Sequence, residues 1–145
     1  MTRPWVYTDT MLQYEGVIAP DLSQHIGMDY SERLSNCYWN KVFTAYWQNQ
    51  NINIYPNVTW SLPDSYEYSV AGLPCVSVVA INSMGVRRET FSTSVWLDGY
   101  HFIIDALKPI CILRYGPKIF GEYENISIYL DNKQINFFEN GRKRK

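Results

Sequence analysis

The stretch C-V-S-V-V-A-I-N-S-M-G over residues 75–85 constrains the fold more than any other. From Val76 to Ile81 it is almost wholly apolar and β-branched, with Ser77 and Ala80 small enough for close packing. A continuous apolar run of this length, bounded by Pro74 and Gly85, predicts a strand buried on both faces, as in a parallel sheet. It ends in the polar, turn-forming Asn82-Ser83-Met84-Gly85. A central strand of this kind hands over there to a loop at the rim of a site.

The rest of the chain alternates around that strand. Gly16 to Asp21, G-V-I-A-P-D, reads as a short first strand closed by a Pro-Asp turn. Asp29 followed by Glu32 gives a capping-box pattern, with Ser31 as a second candidate cap. Beyond them Leu34, Tyr38, Val42 and Ala45 form one stripe at helical spacing, with Trp39, Phe43 and Trp47 beside it. A second strand over 52–60 is interrupted by Pro56, which forces an edge position or a bulge. A short helix over 66–70 follows. A long helix carries Phe91, Val95, Phe102, Ile103 and Leu107, with Gly99 inside it as a point of close packing. A strand over 110–114 and a C-terminal strand pair, 126–130 and 134–138, complete the order. Strands alternating with helices at this spacing predict an α/β fold. Its sheet is mostly parallel, built from βαβ units with helices packed on it. The expected organisation is a single domain over 1–141 with a basic tail at 142–145.

Composition narrows the function classes. The formal net charge of −1 conceals the terminal run Arg142-Lys143-Arg144-Lys145; without those four, nine basic residues face 14 acidic ones. An acidic body disfavours a broad nucleic-acid surface, because such binding scales with the phosphates neutralised. Only the tail is left as a candidate contact. Cys37, Cys75 and Cys111 are odd in number and widely spaced, which predicts buried free thiols rather than disulfides or a zinc site. No apolar run approaches a membrane span, so a soluble, cytoplasmic protein is expected, with no metal and no cofactor.

In an open parallel sheet, ligands sit beyond the carboxyl ends of the strands. Those ends supply Asp21, Trp60, Ser61, Asn82, Ser83 and Tyr115, with Arg87 and Arg88 just beyond the third. The set suits a nucleotide-like or anionic small molecule, with Trp60 or Tyr115 as stacking face and an arginine for the anionic group. No phosphate loop, dinucleotide fingerprint or nucleophile elbow is present. His101 reads as structural. His25, in the loop after Asp21, is the better general base, and Asp21 with Asp64 is the carboxylate pair for an enzyme acting on a nucleotide or nucleic acid.

The motifs G-V-I-x-P-D at 16–21, A-Y-W-Q at 45–48, I-x-P-x-x-x-W-S at 54–61, and S-V-V-A-x-N within 72–85 resemble an uncharacterised family. That domain-of-unknown-function family occurs in Firmicutes, their phages and plasmids. The resemblance carries no activity; it implies a phage or mobile-element origin, and the host cytoplasm as the location. The expected function is therefore a non-catalytic binding protein. It would hold a ligand at the strand tips or inhibit a host protein through aromatic surface. A homodimer through Trp39, Phe43 and Trp47 is the matching expectation for the first long helix, since aromatics dominate binding energy at interfaces.

Overall fold

The computed structural model describes residues 3–86 and 90–130. The helices are α1 (Thr8–Met11), α2 (Tyr30–Gln48), α3 (Tyr66–Val70) and α4 (Thr90–Leu107). The strands are β1 (Val17–Ile18), β2 (Ile54–Tyr55), β3 (Asn57–Val58), β4 (Val78–Asn82), β5 (Cys111–Tyr115) and β6 (Ser127–Tyr129). Every strand pair is parallel: β1 with β2, and β3, β4, β5 and β6 side by side. The protein is an α/β fold, as the alternation implies.

Pro56 explains why one expected strand appears as two. It lacks an N–H for the ladder, and the chain changes partner there. On one side β2 holds β1 through Val17 N to Asn53 O and Ala19 N to Tyr55 O, both 2.9 Å. From Pro56 onward the pairing passes to β4, beginning with Ala80 N donating to Pro56 O at 2.8 Å. The strand expected at 126–130 is β6, which joins the main sheet beside β5. Its expected partner at 134–138, and the basic tail, lie outside the described residues.

Alternation along the strands sends side chains to two faces. On one, Val58, Val79, Ile81 and Ile112 pack with Trp96, Tyr100, Ile103, Ile104 and Leu107 of α4. A second core joins Ala19, Ile52 and Ile54 to Phe43 and Trp47 of α2. Val78, Leu113 and Ile128, on the other face, belong to neither core and stay partly or largely exposed. The expectation of burial on both faces holds at the centre of β4, since Ala80 points to this second face, and fails toward β5 and β6. Val79, Ala80 and Ile81 are fully buried, but the strand starts at Val78, two residues later than read. Val76 is exposed, with φ +53°.

Three local expectations also change. Asp29 occupies the N-cap of α2, yet its side chain makes no capping bond. Of the three thiols, all free, Cys37 is buried, Cys111 partly buried and Cys75 exposed. Of the aromatic stripe on α2, Phe43 and Trp47 face the core, Trp47 with no exposure and its Nε1 donating to Pro4 O at 3.2 Å. Trp39, 47% exposed, remains on the surface beside Tyr38. Gly99 has the close contact its place in a helix suggested: a Cβ there would lie 2.1 Å from Trp60 Cδ1.

Candidate functional site

A cleft of about 390 Å³ opens at the carboxyl ends of β1, β3 and β4. Its size falls in the range of about 300–1,000 Å³ usual for small-molecule sites. Asp21, Ser23 and His25 line it from the loop after β1; Thr59, Trp60 and Ser61 from the end of β3; Asn82 and Gly85 from the end of β4; and Ser92, Val95 and Trp96 from α4. Parallel strands bring these tips to one edge because they all run the same way.

Helix α2 holds the first rim in place. Asn40 Nδ2 donates to Pro20 O at 2.9 Å and Asn36 Nδ2 to Ser23 O at 2.9 Å. Gln24 turns inward and donates to Thr59 O at 2.8 Å and to Ser69 Oγ at 3.3 Å, while accepting from Tyr68 OH at 3.0 Å. That side chain ties the β1 loop to β3 and α3. Such buried amides are structural because their hydrogen-bonding capacity is used within the protein.

At the centre is Asp21. One carboxylate oxygen accepts from Ser23 Oγ at 3.1 Å, and the other from Asn82 Nδ2. Asn82 in turn accepts from Met84 N at 2.6 Å, and its carbonyl takes Trp96 Nε1 at 3.0 Å. The turn is completed by Gly85 at φ +84°, a conformation that favours glycine. The aromatic wall is Trp60, whose ring lies 5.4 Å from Trp96 at a 44° tilt; Trp96 stacks on Tyr100 behind it. Ser61 is 3% exposed, and its Oγ makes no hydrogen bond to any described residue.

Behind the rim, Arg114 braces the strand ends. Its guanidinium is fully buried and forms an ion pair with Glu122, Nη2 to Oε1 at 2.5 Å and Nε to Oε2 at 3.2 Å. It also donates to Ile81 O at 2.9 Å and Tyr115 O at 3.0 Å, and lies 5.1 Å from the Trp96 ring. Tyr129 OH donates to Glu122 Oε2 at 2.8 Å. A buried charge requires this degree of pairing.

The expected site residues divide accordingly. Asp21, Trp60, Ser61 and Asn82 meet in the cleft. Ser83 does not line it: fully buried, its Oγ donates to Pro117 O at 2.6 Å and accepts from Arg114. Tyr115, the register partner of Asn82 on the same face, does not line the cleft; it accepts from Asn57 Nδ2 at 2.8 Å across β4. Burial, and then the nearby Asp21 carboxylate, push its phenol above the ordinary value, so it stays neutral. Arg87 and Arg88 lie outside the described residues. Asp64 is not in the cleft; it takes both guanidinium nitrogens of Arg33 at 2.7 and 2.8 Å. His101 is on α4, with Nε2 3.1 Å from Gly121 O. The residues missed from sequence include Gln24, Ser92, Val95 and Trp96. Those of α4 sit in an apolar pattern that looks identical to core packing.

An α/β protein with a cleft at its parallel strand ends is the class that fold and site define. More particularly, the chain belongs to the family described as "Domain of unknown function (DUF4417)", which it matches over residues 1–133. It is also similar to the "Gene 1 protein" of Mycobacterium phage L5, with 32% identity over 108 residues, covering 74% of this chain and 47% of that protein. With the "Gene 1 protein" of Mycobacterium phage D29 the identity is 31% over 99 residues, covering 68% and 37%. The chain thus spans less than half the length of these relatives. No solved structure matches it. The family therefore has phage members, and no helix of the described residues is long and apolar enough to cross a membrane.

Proposed function

We propose that this protein is a non-catalytic binding protein of a phage-associated family that holds a nucleotide-like ligand in the strand-end cleft. The observation that carries the reading is the hydroxyl of Ser61, a residue lining the aromatic-walled cleft, which is buried without a partner among the described residues. Leaving such a group unsatisfied costs about 1–3 kcal/mol, and a polar ligand atom removes that cost. Trp60 supplies a stacking face, and Asp21 and Asn82 supply the polar rim. Binding rather than turnover is favoured because the carboxylates are already engaged, Asp21 by Asn82 and Ser23, and Asp64 by Arg33.

Native mass spectrometry of protein purified from cells tests retention of a ligand, and calorimetry with nucleoside monophosphates tests its class. Trp60→Ala is expected to weaken binding by about 1–3 kcal/mol, the range for loss of a base–aromatic stack. Unchanged affinity in that variant, or no retained ligand together with no monophosphate binding, would remove the proposal.

A further inference from the structure

The lining of the cleft is unevenly supplied with hydrogen-bonding groups. Among its described lining residues Asp21 is the one carboxylate, and there is no lysine or arginine. Each oxygen of Asp21 already accepts one protein donor, from Ser23 and from Asn82. A carboxylate offers about four acceptor positions, so both oxygens keep capacity in a cleft that Trp60 also lines. Ser61 adds a hydroxyl that is almost wholly buried and has no partner among the described residues.

Two adjacent acceptors select a ligand edge with two adjacent donors. Among nucleobases only guanine presents a ring N–H beside an exocyclic amino group on one edge. Adenine and cytosine place a ring acceptor next to their amino group, and uracil flanks its N–H with carbonyls. Each would set a lone pair against the carboxylate. Recognition by hydrogen bonds in a buried site discriminates strongly, because the wrong partner leaves polar groups unpaired.

We infer that the cleft recognises a guanine-type edge, two parallel N–H donors on a planar heterocycle, through the Asp21 carboxylate with Trp60 as the stacking wall. The inference rests on the ligand reading above and assigns its chemical class. Ser61 gives its proton to the ring carbonyl, the remaining acceptor of such a base. The volume of about 390 Å³ accommodates a ligand of nucleoside size.

Calorimetric titration of the wild-type chain with guanosine, inosine, adenosine and cytidine tests this without altering the protein. Inosine keeps the ring N–H but lacks the amino group. It should bind about 10–100-fold more weakly than guanosine, the loss expected for one hydrogen bond to a charged group. Adenosine and cytidine should be weaker still. Asp21→Asn replaces one acceptor with a donor, so it should lose the preference for guanosine over inosine and gain affinity for xanthosine, whose edge is N–H beside carbonyl. Adenosine or cytidine binding as tightly as guanosine would overturn the inference while leaving the ligand reading intact. Inosine binding equal to guanosine would do the same. Failure of every nucleoside and every monophosphate to bind would overturn both. If Asp21→Asn fails to fold by circular dichroism, the inosine comparison decides alone.

Discussion

The two faces of the central sheet are built to different rules. The face under α4 is dry: Val79, Ile81 and Ile112 have no exposure, and the charged pair of Arg114 with Glu122 is sealed at 0% and 1% side-chain exposure. The other face carries Ala80, Leu113 and the 54%-exposed Ile128. Above them the polar Asn57, Asn82 and Tyr115 stand at the strand ends. The Asn57–Tyr115 bond crosses β4, and the small Ala80 leaves room for it. Parallel sheets usually have both faces covered; here the second face is covered at Asn57 and Ala80 and opens toward β6, so the contrast separates two tasks. The covered face holds the strands in register, and the strand ends carry polar chemistry on a frame they do not themselves stabilise.

The largest expected effect is on the covered face. Glu122→Ala strands a fully buried guanidinium, and breaking a buried pair from one side costs about 3–5 kcal/mol. Urea denaturation should show that loss as a lowered midpoint; a change below about 1 kcal/mol would mean that water reaches Arg114 and that the face is not dry. The matching substitution on the other face is Ile128→Ser, expected to stay within about 0.5 kcal/mol, as for exposed positions. A cost comparable to that of Glu122→Ala would erase the distinction between the faces.

The smallest effect should come from the second arginine pair, in which Asp64 is half exposed. Its hydrogen bonds to Arg33 hold the Asp64 carboxyl below the ordinary carboxylate range. A depressed folded-state pKa contributes stability that is complete above the unfolded value, about 3.9. That contribution is lost as pH falls through the folded value. Acid titration of stability should therefore be shallower below about pH 4 in Asp64→Asn than in the wild type. Identical acid limbs would show that solvent screens this pair completely, sharpening its contrast with Arg114–Glu122.

Much of this architecture follows from local pattern. Helical spacing located α2 and α4, β-branched runs located β4 and β5, and Pro56 marked the place where pairing changes partner. The meeting of Asp21, Trp60, Ser61 and Asn82 was also legible, because strands of one direction must end at one edge. Side-chain direction was not. Asn82 and Ser83 are neighbours in sequence, yet alternation turns one toward the cleft and the other into the core. Tyr115 shares the parity of Asn82 but bonds Asn57 instead of lining the cleft. On α2, periodicity identified an aromatic stripe but could not say that Phe43 and Trp47, rather than Tyr38 and Trp39, would face the core, since that depends on the rotation of the helix against β2. Nor could composition pair Arg114 with Glu122 or bring Trp96 beside Trp60. The sequence by itself determined which segments are strands and helices and the edge at which they end, because these follow from local sterics and apolar period. Only tertiary packing decided which side chains reach the cleft and which charges are buried, because both depend on contacts between residues far apart in the chain.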